Sequence, residues 1–125
     1  MRLPTTLLLS LSAVAVSAHK IACFRFKEKV LTEHVTEGIR YLRRGKETDM
    51  AHLDPDMCWR VSCSYNTAIS WCNRDKKKDK FMAFVHIAEG AQALIDECGQ
   101  NDGRYTGGVV DHPDEWQVIV HQDKC

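Results

Sequence analysis

The sequence CWRVSCSYNTAISWC, residues 58–72, predicts a β-hairpin in the middle of the chain. Trp59, Val61 and Cys63 alternate with polar neighbours, and the alternation returns after residues 64–66. A period of two is typical of strands with one buried face, where a tryptophan is expected to pack in the core. The break between the two runs is the predicted turn, although it lacks the Asn-Gly pair that is most typical of tight hairpins.

Helical periodicity flanks the predicted hairpin on both sides. Apolar residues recur at spacings of three and four over residues 29–44 and again over residues 84–98. That spacing puts the apolar side chains on one face of a helix, so each stretch predicts an amphipathic helix. Gly45 and Gly99 follow the two stretches, and glycine commonly ends a helix.

Two further apolar runs predict strands near the ends of the chain, at residues 21–26 and 116–120. Residues 46–57, 73–80 and 99–108 are polar or glycine-rich and predict loops. The elements then follow the order β-α-β-β-α-β. That order predicts an α+β protein with the split β-α-β plait, in which two helices cover one face of an antiparallel sheet.

The first 18 residues, 1–18, have the three parts of a secretory signal peptide. Arg2 supplies a positive charge, an apolar stretch covers residues 7–16, and small residues precede His19. The apolar stretch is shorter than the roughly 20 residues that a membrane-spanning helix needs. We therefore expect cleavage before His19 and a single secreted domain over residues 19–125.

The expected secreted domain contains all six cysteines, and an even number in a short secreted chain predicts three disulfides. No Cys-x2-Cys pair is present, so the spacing does not support a zinc site. Spacing alone leaves the pairing open. On the predicted plait, the topology favours one bond at one edge of the sheet and two at the opposite edge. The expected pairs are Cys63–Cys98, Cys23–Cys125 and Cys58–Cys72.

The charge balance argues against a nucleic-acid partner. The chain has 17 basic and 17 acidic side chains, and removal of the leader takes away only Arg2. A nearly neutral domain has no general attraction for nucleic acid or for an anionic membrane surface. No second long apolar run follows the leader, so we expect no stable insertion into a membrane.

A cluster of basic residues in the loop after the hairpin is the candidate partner-binding segment. Such a cluster can dock on an acidic surface. Asp75 and Asp79 dilute it, and a solvated loop is the simpler interpretation. The cluster consists of Arg74, Lys76, Lys77, Lys78 and Lys80.

Histidines raise a metal hypothesis. His19 would be the first residue of the secreted domain, and its free amine and imidazole can chelate copper if a second histidine lies nearby. The other histidines have no diagnostic spacing, so a frayed terminus is the favoured interpretation.

A second chemical hypothesis is a small secreted ribonuclease, which needs a base, an acid and an arginine. The candidates are Arg60, Arg104, His112, Glu115 and His121. Because they show no recognisable spacing, we expect no catalytic residue, no cofactor and no metal.

The second half of the chain resembles a known class of secreted protein. The segments that carry the resemblance are SYNTAISWCN (64–73), IAEGAQALIDEC (87–98), Gly107-Gly108 and WQVIV (116–120), followed by Cys125. They are similar to segments of small, cysteine-rich secreted proteins of filamentous fungi, many of which are candidate effectors. They are also distantly similar to the virally encoded killer toxins of smut fungi, whose folds are α/β plaits.

The resemblance implies a protein that a fungus releases to act on a host or on a competitor. We therefore expect a secreted, extracellular monomer that binds a host protein without catalysis; whether it later enters a host cell stays open. The alternatives are a killer-toxin-like antimicrobial or channel-blocking protein and a small secreted ribonuclease.

Overall fold

A five-stranded antiparallel sheet is the centre of the computed structural model, which describes residues 19–25, 29–46 and 48–125. The predicted signal peptide, residues 1–18, lies outside the described residues, as does Phe26 at the end of the predicted first strand. No described helix is long and apolar enough to cross a membrane. The strands are β1 (Lys20–Cys23), β2 (Val30–Leu31), β3 (Met50–Leu53), β4 (Cys58–Ser64), β5 (Thr67–Asn73), β6 (Lys80–Ala83), β7 (Tyr105–Thr106), β8 (Gly108–His112) and β9 (Trp116–Gln122), and the helices are α1 (Thr32–Arg43) and α2 (Phe84–Cys98).

The predicted hairpin is present as β4 and β5, joined by Tyr65 and Asn66. These two residues have positive φ angles of 51° and 56°. A two-residue turn with positive φ angles matches the right-handed twist of its strands, and asparagine tolerates this conformation well. The hairpin prediction is confirmed. Asn66 adopts a positive φ angle, as the residues of an Asn-Gly turn do.

Both helices pack on the same face of the central sheet, which confirms the predicted α+β class. α1 contacts β4 and β5, α2 contacts β8 and β9, and the two helices contact each other. The bounds of α2 agree with the predicted stretch 84–98. α1 begins three residues later than predicted because residues 30–31 pair with residues 105–106 as β2 and β7.

The close approach of α2 to the sheet depends on Gly90. A Cβ atom at this position would lie 2.7 Å from Cγ2 of Val118, a residue of β9 with no exposed surface. Interiors are close-packed, so a helix backbone comes this near only where a side chain is absent. Gly38 has a similar position on α1, where a Cβ atom would lie 2.9 Å from Cδ1 of Ile69 and from Oγ of Ser62.

β8 was not predicted, and it changes the topology. The central sheet has the order β1-β8-β9-β5-β4, and every neighbouring pair is antiparallel. Because α2 leads into β8 and β8 turns back into β9, β9 runs in the same direction as β1 and β4. The predicted plait had its last strand directly after the second helix and running the opposite way. The predicted direction of the last strand is therefore wrong.

The direction of β9 decides which cysteines meet. The end of β9 lies beside the end of β4, so Cys125 bonds to Cys63. Cys23 is the last residue of β1 and bonds to Cys98, the last residue of α2. The expected pairs Cys63–Cys98 and Cys23–Cys125 are therefore wrong. All four cysteines lie at the same end of the sheet, but Cys23 belongs to one outer strand, β1, and Cys63 to the other, β4.

The third expected bond, Cys58–Cys72, is present at the other end of the sheet. It joins directly paired residues of β4 and β5, whose Cα atoms are 4.0 Å apart. The fold therefore contains three disulfides, a feature typical of extracellular proteins.

A second small sheet occupies part of a predicted loop. β3 lies within the predicted loop 46–57 and pairs antiparallel with β6. Its buried side chains, Ala51 and Leu53, alternate with exposed ones, but two apolar residues are too short a pattern to predict a strand.

Candidate functional site

β4 forms one edge of the central sheet, and a groove lies between it and α1. Within the described ranges, no other strand pairs with the outer edge of β4. One half of the groove is mainly apolar and encloses about 360 Å³, and the other half is more polar and encloses about 350 Å³. Tyr41 and Val61 line both halves, so the two are adjacent, and together we name them the α1–β4 groove. Its apolar half includes Leu42, Trp59 and Phe84, and its polar half includes Glu37, Arg60, Ser62 and Ser64.

Trp59 and Tyr41 are the exposed aromatic side chains of the α1–β4 groove, with exposed fractions of 45% and 60%. Trp59 pairs directly with Trp71 of β5, so both indoles project on the helix-covered side. Trp71 has no exposed surface, whereas Trp59, one strand further out, is half open to solvent. Core packing was the sequence-based expectation for both residues, and it is wrong for Trp59 because an edge strand has no neighbour to cover it.

Phe84 supports the indole of Trp59 at the base of the apolar half. Its ring meets the indole edge-on, with 5.9 Å between ring centroids. This arrangement is favourable for aromatic pairs, because the positive edge of one ring approaches the negative face of the other. Trp59 therefore has an aromatic packing partner, although much of its surface is exposed.

A β-bulge at Val61 shapes the edge of the groove. The pairing with β5 shifts register between Arg60 and Ser62, so Val61 has no partner on β5, and its side chain is buried. A bulge re-aims the neighbouring side chains and interrupts a flat edge that would otherwise invite aggregation. Regular pairing resumes on either side, which leaves two short stretches of strand edge that face away from the sheet.

The predicted basic loop lies between β5 and β6, and two side chains hold its backbone. Asn73 has no exposed surface and donates hydrogen bonds to the carbonyl oxygens of Asp54 at 3.2 Å and Lys78 at 2.9 Å. Asp75 accepts hydrogen bonds from the backbone N–H groups of Lys77 at 2.9 Å and Lys78 at 3.1 Å. The hydrogen bond from the backbone N–H of Lys77 is the main reason why the pKa of Asp75 lies below its usual range. The loop therefore has a fixed backbone.

The five basic side chains of this loop have two different roles. Arg74 donates a hydrogen bond to Oε1 of Gln117 at 2.9 Å, and Lys80 donates one to the carbonyl oxygen of Asp114 at 2.7 Å. Both side chains thus help attach the loop to the turn before β9 and to β9 itself. Lys76, Lys77 and Lys78 are exposed and form a small basic surface. Its use in binding a partner stays a prediction.

The residues of the ribonuclease hypothesis lie in different parts of the fold. His112 pairs with Trp116 at one end of β9, and His121 lies five residues further along, about 16 Å away at the rise of an extended strand. Arg60 forms an ion pair with Asp123 at 3.2 Å. Glu115 lies in the turn between β8 and β9, and Arg104 lies in the turn before β7. The structure does not assemble these candidates into one site.

His121 instead takes part in a polar network on the helix-free face of the sheet. Its Nε2 lies 2.9 Å from Oγ of Ser70 on β5, and its Nδ1 lies 3.1 Å from the carbonyl oxygen of Gln122. Ser70 is in the middle of a paired strand and is 8% exposed. A cross-strand hydrogen bond of this kind stabilises the sheet, and a substrate would have little access to the hydroxyl.

A cluster of one histidine and two carboxylates was not predicted. Nε2 of His52 lies 2.9 Å from Oδ2 of Asp79 and 4.0 Å from Oδ1 of Asp54. All three side chains are exposed, and the ring of His52 stacks on Phe81 with 4.6 Å between centroids. The residues come from β3, from the segment after it and from the basic loop, so no sequence spacing could have indicated the cluster.

Comparison of the chain with protein-family models, with curated proteins and with solved structures found no match.

Proposed function

We propose that this protein is a secreted fungal effector that binds a host protein, and that the α1–β4 groove receives an extended segment of that partner. The observation that carries the proposal is an unpaired strand edge beside a groove with exposed aromatic side chains. Backbone groups on a free edge can bond to a further strand, and a neighbouring groove can accept alternate side chains of that strand.

The lining of the groove indicates the chemistry of the partner segment. Leu42, Trp59 and Phe84 form an apolar pocket that suits one large aromatic or aliphatic side chain. Glu37, Ser62 and Ser64 in the polar half suit a polar side chain. Side chains on one face of a strand recur every second residue. In the expected segment, a large apolar residue and a polar residue are therefore separated by one residue, in either order.

The disulfides support a binding role because they hold both ends of the edge strand. Cys58 at the start of β4 bonds to Cys72, and Cys63 near its end bonds to Cys125. A strand that is fixed before binding loses little conformational freedom when a partner arrives. This rigidity agrees with an extracellular protein that recognises its partner through a preformed surface.

A phage-displayed library of random linear peptides tests the groove without knowledge of the host. We expect the secreted protein to select peptides with the alternating pattern described above. Trp59→Ala should weaken their binding at least about tenfold, because an aromatic anchor in an apolar pocket contributes more than about 1.4 kcal/mol to binding. Phe81→Ala is the matched control, since Phe81 is also an exposed aromatic residue, at 63%, and lies on β6 outside the groove.

Equal binding of the selected peptides to the wild type and to Trp59→Ala would show that the groove is not the binding site. Affinity capture from plant or animal host tissue then tests the wider role. A host protein recovered with the wild type and with Phe81→Ala, but not with Trp59→Ala, supports the proposal. Growth inhibition of fungi by the purified protein would favour the killer-toxin alternative. RNA cleavage lost in His121→Ala would favour the ribonuclease.

A further inference from the structure

Two histidines far apart in the sequence lie side by side at the edge of the sheet. Lys20 of β1 pairs with Asp111 of β8, so the next residues outward, His19 and His112, lie opposite each other. Their ring centroids are 4.6 Å apart, with 72° between the ring planes. The register between β1 and β8 produces this contact, which the sequence could not indicate.

His112 has a ring nitrogen that lacks a hydrogen-bond partner among the described residues. The imidazole stacks on the indole of Trp116, with ring centroids 3.5 Å apart and planes nearly parallel. The nitrogen without a partner is Nε2, which is buried. A buried imidazole nitrogen without a partner is a candidate metal ligand.

A pocket of about 330 Å³ lies over this pair, next to α2. Besides the two histidines, its lining includes His86, Glu89 and Asp114. Nδ1 of His86 lies 3.3 Å from Oε2 of Glu89. The pocket therefore combines three imidazoles with two carboxylates in one part of the molecule.

Cleavage before His19 would add one more donor, the α-amine of that residue. An α-amine and the imidazole of the same residue form a chelate, and the imidazole of His112 would supply a third nitrogen. A ligand set of nitrogen donors favours Cu(II) over the other divalent ions of the first transition row. We propose that the secreted protein binds one Cu(II) ion through the α-amine and imidazole of His19 and the imidazole of His112.

The distance between the two ring centroids is compatible with this coordination. A nitrogen bound at about 2 Å places the centroid of its imidazole about 3.2 Å from the metal, so two imidazoles in adjacent square positions have centroids about 4.5 Å apart. The separation of 4.6 Å between His19 and His112 is close to that value.

The cluster of His52, Asp54 and Asp79 is a weaker candidate for Cu(II). It offers one nitrogen and two carboxylates, its side chains are exposed, and His52 already forms a hydrogen bond with Asp79. Oxygen donors suit Mg²⁺, Ca²⁺ or Mn²⁺ better than Cu(II). His52 therefore serves as a control for the proposed site.

The test uses protein secreted from the full chain with its own leader, with the first residue determined by N-terminal sequencing. Titration with Cu(II) should quench tryptophan fluorescence, because Trp116 stacks on His112, and should saturate at one ion per molecule. Electron paramagnetic resonance should show hyperfine coupling to three nitrogens. His112→Phe keeps an aromatic ring on Trp116 without a donor and should weaken Cu(II) binding at least about tenfold. The matched control His52→Phe should leave the affinity unchanged.

A second variant separates this site from the chelation that any N-terminal histidine can provide. Insertion of Gly-Ser-Gly-Ser before His19 removes the α-amine from the site and should weaken binding at least about tenfold. Wild-type affinity in His112→Phe or in the extended protein would overturn the proposal, and so would a secreted chain that begins elsewhere than at His19. None of these results depends on peptide binding in the α1–β4 groove.

Discussion

The two edges of the central sheet are built in different ways. β4 has seven residues, continues into β5 through a two-residue turn and has a disulfide near each end. β1 at the other edge has four residues, pairs with the distant β8 and is joined to α2 by a bond that spans 75 positions. β4 thus pairs with the strand that follows it in the sequence, whereas the contact between His19 and His112 requires the pairing of two distant strands.

The first comparison concerns the disulfides of the two edges. Cys23→Ala combined with Cys98→Ala opens a loop of 75 positions and should lower the free energy of unfolding by about 4 kcal/mol. Cys58→Ala combined with Cys72→Ala opens a loop of 14 positions and should lower it by about 3 kcal/mol. Equilibrium unfolding in guanidinium chloride, followed by tryptophan fluorescence, measures both values.

Ligand binding sharpens the same comparison. At low denaturant, the double variant of Cys23 and Cys98 should lose affinity for Cu(II), because β1 is no longer bonded to α2, and should still bind the selected peptides. The double variant of Cys58 and Cys72 should lose affinity for the peptides, because the start of β4 is released, and should still bind Cu(II). If both variants lost both activities together, the two edges would not be independent.

The next effect concerns two tryptophans that are direct neighbours across β4 and β5. Trp71→Ala should lower the free energy of unfolding by about 3–5 kcal/mol, because Trp71 has no exposed surface. Trp59→Ala should lower it by about 1 kcal/mol or less, because that side chain is 45% exposed. Thermal and chemical unfolding of the two variants give the difference.

Trp71→Phe is the control for this pair. It keeps an aromatic ring and removes a buried indole N–H that has no hydrogen-bond partner among the described residues. Trp71→Phe should therefore lower the free energy of unfolding by much less than Trp71→Ala does. A loss in Trp59→Ala as large as in Trp71→Ala would contradict the view that the edge residue serves binding more than stability.

A smaller effect is expected where the two helices pack against the sheet. Gly90→Ala should lower the free energy of unfolding by about 1–3 kcal/mol, because its Cβ atom would clash with the branched Val118 on β9 at 2.7 Å. Gly38→Ala should have a smaller effect, since the atoms at 2.9 Å are the ends of the Ile69 and Ser62 side chains, which can move. Chemical unfolding distinguishes the two, and a larger loss in Gly38→Ala would reverse the comparison.

The smallest effect is the pH dependence of an ion pair beside β4. The hydrogen bond from Arg60 is the main cause that lowers the pKa of Asp123 below 3.8. A lowered pKa means that the ionised carboxylate favours the folded state, so this contribution is complete above the unfolded pKa and is lost as the pH falls through the folded pKa. Asp123→Asn should therefore reduce the loss of thermal stability between about pH 5 and about pH 2. An identical pH profile in the variant would show that the pair contributes nothing.

Local patterns predicted the elements that depend on neighbouring residues. The stretch 84–98 was correct at both ends because its apolar period is long and Gly99 follows it. β8 was missed because Val109 and Val110 are its only large apolar residues and they follow two glycines. The exposure of Trp59 was also missed, since alternation distinguishes the two faces of a strand but does not reveal whether the strand lies at an edge.

The sequence by itself determined the α+β class, the two helices, the β4–β5 hairpin and the number of disulfides. Only the tertiary structure decided the direction of β9, the bonds Cys23–Cys98 and Cys63–Cys125, and the contact between His19 and His112. The physical reason is that a local period records which side of an element is buried. Pairing between distant segments depends on strand order, direction and register, and these follow from how the whole chain packs.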